Sequence, residues 1–224
     1  MNLRVAGVIA ALSTTAFAGQ AFAATVVLDS FTIAQQAVDV PYAGVTSTST
    51  IAFGPGQRTL TAENTGGPSP VAATELESVD GTLSFSNKDR ATGKATLTYT
   101  NLGDIDLGDN PYFYFDVGYF DATALFSVEA TDTFGMTSTY SEQLTAGFNP
   151  YLYFSQFTGD ADFNSIATLS FMLDTGAVIS VDGSLNEISY GATPAPVPLP
   201  AAGLLLLAGV GGLGGLRAMR RKKA

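Results

Sequence analysis

The chain has 224 residues, 10 Lys+Arg against 20 Asp+Glu for a formal charge of −10, and no Cys, His or Trp. Without Cys there is no disulfide framework, thiolate metal site or Cys nucleophile, and without His there is no Ser-His relay and no imidazole ligand for zinc or copper. Charged residues at 13%, with 24 Gly, 15 Phe and 9 Tyr, fit a single β-rich domain and not a coiled coil or a disordered chain.

The N-terminus carries one cation, Arg4, then an apolar run over 5–18 and an Ala21-Phe22-Ala23 triplet before Ala24. That order predicts a secretory signal peptide over 1–23, cleaved after Ala23 by the small residues Ala21 and Ala23, with Ala18 as a second candidate. The run is shorter than the ~20 residues of a membrane span, which argues against an uncleaved anchor. Signal peptidase and the Sec machinery are the partners this segment implies.

From 24 to 191 the pattern is period-two alternation without a helical period. Leu83 and Phe85 share one face of 82–86, and Leu97 and Tyr99 share one face of 96–100. Further strands are expected at 25–33, 50–53, 58–62, 111–120, 123–131, 136–141, 150–157, 168–173, 177–181 and 185–190, with a flexible Thr/Ser loop at 46–50 open to O-linked sugar. About a dozen strands divided by Gly, Asn, Asp and Pro turns predict an all-β, jelly-roll-like two-sheet β-sandwich. The body carries only Arg58, Lys88, Arg90 and Lys94 against all 20 acids, a formal charge of −16. Such a surface repels phosphate backbones, so no nucleic-acid partner is expected.

Two short stretches recur. Asn110-Pro111-Tyr112-Phe113-Tyr114-Phe115 returns as Asn149-Pro150-Tyr151-Leu152-Tyr153-Phe154, and Val79-Asp80-Gly81-Thr82-Leu83 returns as Val181-Asp182-Gly183-Ser184-Leu185. Their spacing defines no solenoid, and equivalent strands of two facing sheets are the simplest reading.

Three groups are candidates for chemistry. Asp104, Asp106 and Asp109 alternate along one turn and can supply carboxylate oxygens to calcium, the one cofactor considered. Gly108 at the fifth position and Phe115 at the twelfth depart from an EF-hand loop, and Asp160 with Asp162 is a poorer second case. Tyr112 and Tyr114 fall on one strand face, with Phe113 and Phe115 on the other. If the Phe side is core, the Tyr side, with Tyr119, Tyr151 and Tyr153 in the same composition cluster, is a candidate glycan platform, because tyrosine rings stack on sugar rings while their hydroxyls bond sugar hydroxyls. Glu63, Glu75, Glu77 and Glu129 are the carboxylates from which a glycosidase pair would be drawn; no enzyme activity is expected.

A Pro-containing linker at 192–196 leads to Val197, Pro198, Leu199, Pro200 and Ala201. A Gly/Leu-rich stretch to Leu216 follows, then the basic Arg217, Arg220, Arg221, Lys222 and Lys223. As a helix, 199–216 measures about 27 Å, a marginal membrane span, and the basic cluster should stay cytoplasmic. This order over 197–224 resembles the PEP-CTERM protein-sorting tail in its VPLPA variant. The resemblance implies recognition of residues 197–201 by an exosortase-type membrane transpeptidase and removal of the helix and basic end. It also implies a passage from the inner membrane to the cell surface or extracellular matrix of a Gram-negative bacterium, in the company of extracellular polysaccharide. Prolines at 194, 196, 198 and 200 favour an extended chain that an enzyme can grasp. More loosely, the segments around Leu28-Asp29-Ser30-Phe31, Gly56-Gln57-Arg58 and Gly93-Lys94 to Tyr99 look like the β-sandwich ectodomains that accompany such tails.

The expectation is therefore a secreted, sortase-processed surface or matrix protein with a structural or adhesive sandwich. A glycan-binding module, a permanently anchored ectodomain and a carbohydrate-active enzyme are the alternatives.

Overall fold

A computed structural model describes residues 25–40, 46–68, 70–103, 105–108, 112–145 and 151–191. In chain order the strands are β1 (Val26–Asp29), β2 (Gln35–Asp39), β3 (Ser47–Phe53), β4 (Gly56–Gly66), β5 (Ala73–Val79), β6 (Thr82–Lys88) and β7 (Thr92–Thr100). The second half continues with β8 (Tyr112–Phe120), β9 (Ala124–Asp132), β10 (Thr137–Leu144), β11 (Tyr151–Tyr153), β12 (Thr158–Gly159), β13 (Ile166–Asp174) and β14 (Asp182–Gly191). One 3-10 turn, Phe154–Gln156, interrupts them. None of the described residues forms a helix long and apolar enough to cross a membrane.

The strands make two sheets. The first has the order β11-β8-β14-β6-β5-β2 with β1 added to β14, and the second has the order β12-β10-β9-β13-β7-β4-β3; every pairing is antiparallel. The described residues thus form an all-β two-sheet sandwich. Alternation gives each strand one apolar face, and the two faces meet in one core that includes Leu76, Phe85, Phe113 and Phe115 from the first sheet and Leu60, Leu97, Leu169 and Phe171 from the second. The Phe171 ring joins them, meeting Phe113 at 5.6 Å and Phe115 at 5.7 Å in edge-on geometry. Such pairs each add about 0.5–1.5 kcal/mol beyond the area they bury.

Several expectations need correction. The stretch 177–181 is a turn between β13 and β14, despite its alternation. Gly176 and Ser180 take positive φ of 56° and 54°, and Val178 and Ile179 are exposed while Val181 is buried. The Thr/Ser stretch at 46–50 is not a loop, because Ser47 onward is edge strand β3, laddered to β4 from Ser47↔Ala62 to Phe53↔Gly56. β2 and β5 escape the sequence pattern because the inward positions of β5 include the polar Thr74 and Ser78 around Leu76. The two recurrent stretches are not equivalents in facing sheets. Tyr151 pairs with Tyr114 and Tyr153 with Tyr112, while Leu185 pairs with Leu83, so each recurrence is a pair of neighbouring strands in the first sheet. The proposed signal peptide, the linker and the sorting segment lie outside the described residues.

Two polar clusters bridge the sheets. Period two places Arg58 on the same face of β4 as Leu60 and Ala62, so its guanidinium points between the sheets and is 0% exposed. Nη1 donates to Asp29 Oδ2 at 2.8 Å, Nε to Gln35 Oε1 at 2.8 Å, and Nη2 to the Ile33 carbonyl at 2.7 Å and Ser78 Oγ at 3.1 Å. Tyr99 Oη donates to the same Asp29 Oδ2 at 2.6 Å. Burial, then the Asp29 charge, holds the Tyr99 hydroxyl well above its ordinary pKa. Asp29 Oδ1 accepts the Phe31 amide at 2.8 Å, which steadies Phe31 at a positive φ of 52° that side chains other than glycine rarely adopt. A buried ion pair is tolerable only when its remaining donors and acceptors are satisfied, and every guanidinium nitrogen here has a partner. The second cluster is uncharged: Thr74 Oγ1 donates to Asn87 Oδ1 at 2.8 Å, and Asn87 Nδ2 to Thr175 Oγ1 at 3.3 Å. It closes over Gly93, whose place admits no side chain, since a Cβ there would stand 2.0 Å from Thr74 Oγ1.

Candidate functional site

On β8 the alternation divides the aromatics as expected: Phe113 and Phe115 are buried in the core, and Tyr112 and Tyr114 turn to the outer face of the first sheet. The antiparallel pairing with β11 then sets Tyr153 beside Tyr112 and Tyr151 beside Tyr114. Four tyrosines from two strands thereby form one cluster. Tyr112 is only 7% exposed, whereas Tyr151 and Tyr153 are 42% and 38% exposed. The accessible rings are therefore mainly those of β11, with Tyr114 half-buried between them and the rest of the sheet.

Ring geometry explains the division. The Tyr112 ring meets Tyr151 at 5.2 Å and 85° and Tyr153 at 5.9 Å and 71°, so it acts as a wedge standing nearly perpendicular to both. Tyr114 meets Tyr151 at 5.1 Å and 49°. Edge-on contacts place the positive ring edge against a negative face, and here they hold the outer rings in place while leaving part of each in solvent. Tyr112 and Tyr114 are thus not a coplanar exposed pair; Tyr112 supports and Tyr151 and Tyr153 present.

Polar groups adjoin the rings. Across β14, Ser189 stands opposite Tyr114, and Glu187 opposite Asp116 in the next row of the same face. Asn186 Nδ2 donates to Asp116 Oδ2 at 3.3 Å. Burial first, then the charge of Asp116, the Tyr151 hydroxyl and the charge of Glu187, raises the Tyr114 pKa, so its hydroxyl stays a donor throughout the neutral range. Ser189 is fully buried, and its hydroxyl has no hydrogen-bond partner among the described residues. The arrangement offers apolar ring faces bordered by carboxylates that accept and hydroxyls and an amide that donate. Tyr119, 53% exposed and paired with Ser184, lies further along β8.

The other candidate groups are carboxylates. Asp104 and Asp109 lie outside the described residues. Asp106 Oδ1 accepts the Gly108 amide at 2.9 Å, and Asp162 Oδ1 accepts the Asn164 amide at 2.9 Å and its Nδ2 at 2.7 Å. The fold sets these two turns side by side, with the Leu107 amide donating to the Phe163 carbonyl at 2.7 Å. Their carboxylates are engaged in building the turns, and among the described residues no group of three acidic side chains is placed to hold a metal. Glu75 and Glu77 lie on β5 of the first sheet, whereas Glu63 and Glu129 lie on β4 and β9 of the second. β13 and β7 separate β4 from β9, a gap of about 14 Å at the usual strand spacing. Glu63 and Glu129 are therefore too far apart to act as a pair, whereas Glu75 and Glu77, two residues apart on β5, share the outer face of the first sheet, where Glu75 is paired with Lys88.

The sequence reading missed the Arg58 cluster. Its signal was present: an arginine in phase with Leu60 and Ala62 on an alternating strand, in a body with only four basic residues.

No protein-family model and no curated protein matches the sequence. Among solved structures the chain is similar to PfGH50B, at 14% identity and a TM-score of 0.41, covering 55% of this chain and 22% of that one. It is similar to an agarase, AgWH50C, at 14% identity and a TM-score of 0.40 over the same shares, 55% and 22%. It is also similar to a family 11 carbohydrate-binding module from Clostridium thermocellum, in complex with a β-1,3-1,4-mixed-linked tetrasaccharide, at 15% identity and a TM-score of 0.37, covering 71% of this chain and 98% of that one. The chain spans about a fifth of the length of the first two. At such scores these likenesses carry no functional argument, which rests on the geometry alone.

Proposed function

We propose that this chain is an exported glycan-binding protein whose jelly-roll-like sandwich holds a sugar chain on the outer face of the first sheet. Tyr151 and Tyr153 stack on pyranose rings, and Tyr114, Asp116 and Glu187 meet the hydroxyls. The observation that supports this reading is the pair of exposed rings propped by the buried Tyr112 wedge. Rings held in place before binding lose little side-chain freedom when a sugar arrives. A net charge of −16 in the body favours a neutral or cationic polysaccharide over an anionic one.

Delivery follows from the two ends: cleavage after Ala23, recognition at Val197, Pro198, Leu199, Pro200 and Ala201, and release from the inner membrane to the surface or matrix. In that setting glycan binding and adhesion describe one role, attachment of the protein to extracellular polysaccharide.

The test is retention of the full chain on a panel of neutral polysaccharides, followed by titration of the best ligand. Tyr151→Ala and Tyr153→Ala should each lower affinity about three- to ten-fold, the equivalent of roughly 0.6–1.4 kcal/mol per lost sugar contact, with the protein still folding cooperatively and its thermal midpoint lowered only by the ring pairs removed, two for Tyr151 and one for Tyr153. Equal retention of the wild type and the double variant would overturn the site. Intact mass of the mature protein, with and without the candidate sorting enzyme, tests delivery separately; an unprocessed C-terminus in the inner membrane would overturn that half.

A further inference from the structure

The hairpin of β9 and β10 carries an apolar knob at one end and an apolar hole at the other. At the tip, Phe134 is 82% exposed and Met136 46%. A mobile tip would lose such rings against its own surface, but this one is fastened. Asp132 Oδ1 accepts the amides of Phe134 at 2.8 Å and Met136 at 2.9 Å, and its Oδ2 accepts that of Asp162 at 3.0 Å. The Thr133 amide donates to the Ser165 carbonyl at 2.9 Å, and Gly135 supplies the positive φ of 83° that the turn requires. Residues 133–137 include no charged side chain.

At the other end, between the sheets, lies a cavity of about 130 Å³ that is open on one side and walled by Phe120, Phe126, Leu144, Phe171, Leu173 and Leu185 among others. Leu144 is the last residue of β10 and Phe126 the third of β9. The hole is therefore about 24 Å along the strands from the tip, at 3.4 Å per residue. Its size suits a phenyl ring, since an apolar cavity of about 150 Å³ stays dry and takes up benzene.

We infer that the occupant is a second copy of this chain: Phe134 of one molecule enters the cavity between the sheets of the next. Knob and hole are different surfaces at opposite ends of one element, so the contact joins unlike surfaces, and its repetition builds a file of molecules or, where the rotation closes, a ring. The contact is small, which makes it weak in dilute solution and effective only where copies are concentrated, as on a surface or in a matrix. Acidic bodies oppose one another, so added salt strengthens the association by screening them.

Because the chain has no Cys, a directed cross-link tests this cleanly. Thr133→Cys places a thiol beside the knob, and Thr145→Cys places one beside Leu144 at the hole; both positions are exposed. With oxidised glutathione added as the oxidant, which takes up the two electrons and leaves as reduced glutathione, mixed full-length variants should form the disulfide between the two introduced thiols at least about ten-fold faster than either variant alone, and faster at high salt than at low. Adding Phe134→Ser, a surface change that leaves the core intact, should abolish the excess, and benzene should compete with it. Mixed cross-linking no faster than the single-variant controls, or unaffected by Phe134→Ser, would overturn the inference. So would benzene raising the thermal midpoint, by filling the cavity, while leaving the cross-linking rate unchanged; that outcome would assign the hole to a free apolar ligand.

Discussion

Asp29, Arg58 and Tyr99 on one side of the sandwich, and Tyr112, Tyr114, Tyr151 and Tyr153 on the other, are both clusters of polar and aromatic groups drawn from distant parts of the chain. The first lies between the sheets with its charges matched and its hydrogen bonds made. The second lies on an outer face with two rings in solvent. What separates them is the face of the strand. A buried polar group must be satisfied internally, and once satisfied it reports on stability. A half-exposed aromatic cluster contributes a few ring contacts to the fold and keeps the rest of its surface for a ligand.

The largest break in that comparison is Arg58→Ala. It leaves Asp29 buried without its cation and should cost about 3–5 kcal/mol in denaturant unfolding. Tyr99→Phe removes one hydrogen bond to a charged group and should cost about 1.5–3 kcal/mol. Gly93→Ala pushes a methyl into the Thr74 and Asn87 side chains and should cost about 1–3 kcal/mol, as overpacking does. Tyr153→Ala, by contrast, should change stability by less than about 1 kcal/mol while weakening glycan retention. A loss of several kcal/mol there would make the tyrosine cluster part of the fold.

The smallest effect is in alkaline stability. Burial and the Glu142 carboxylate, reached from Tyr140 Oη at 2.5 Å, push the Tyr140 pKa up to about 12, and Tyr99 is raised as well. A tyrosine whose folded pKa exceeds its unfolded value supplies stability that is complete below about 10 and is lost as pH rises toward the folded value. Unfolding followed from pH 9 to 12 should therefore show a falling stability, flattened in part by Tyr140→Phe and more by Tyr99→Phe. At the acid end, backbone amides led by that of Asp162 hold the Asp132 pKa below its ordinary value. The stability Asp132 contributes is present above that ordinary value and disappears as pH falls through the depressed one, a dependence that Asp132→Asn should remove.

Much of the fold was legible because alternation is a local property. Leu83 with Phe85, and Leu97 with Tyr99, declare their strands from five residues each. β5 was not legible, since Thr74 and Ser78 look like solvent-facing residues until their buried partners are known. The turn at 177–181 failed in the opposite sense: its apolar alternation is real, but the segment connects β13 of one sheet to β14 of the other and makes no ladder. The same holds at the candidate site. Period two separated the tyrosines of β8 from its phenylalanines, but which tyrosine is a wedge and which is presented depends on the strand that pairs alongside.

The sequence by itself determined the class of structure, the acidic body and the exclusion of thiol and imidazole chemistry, because composition and short-range pattern suffice for these. The tertiary structure alone decided that Tyr112–Phe120 and Tyr151–Tyr153 are neighbouring strands of one sheet, that Arg58 reaches Asp29 and Gln35 between the sheets, and that knob and hole lie at opposite ends of one hairpin. Each depends on register and pairing between residues far apart in the chain, and a strand's own pattern states which face is apolar without stating what that face will meet.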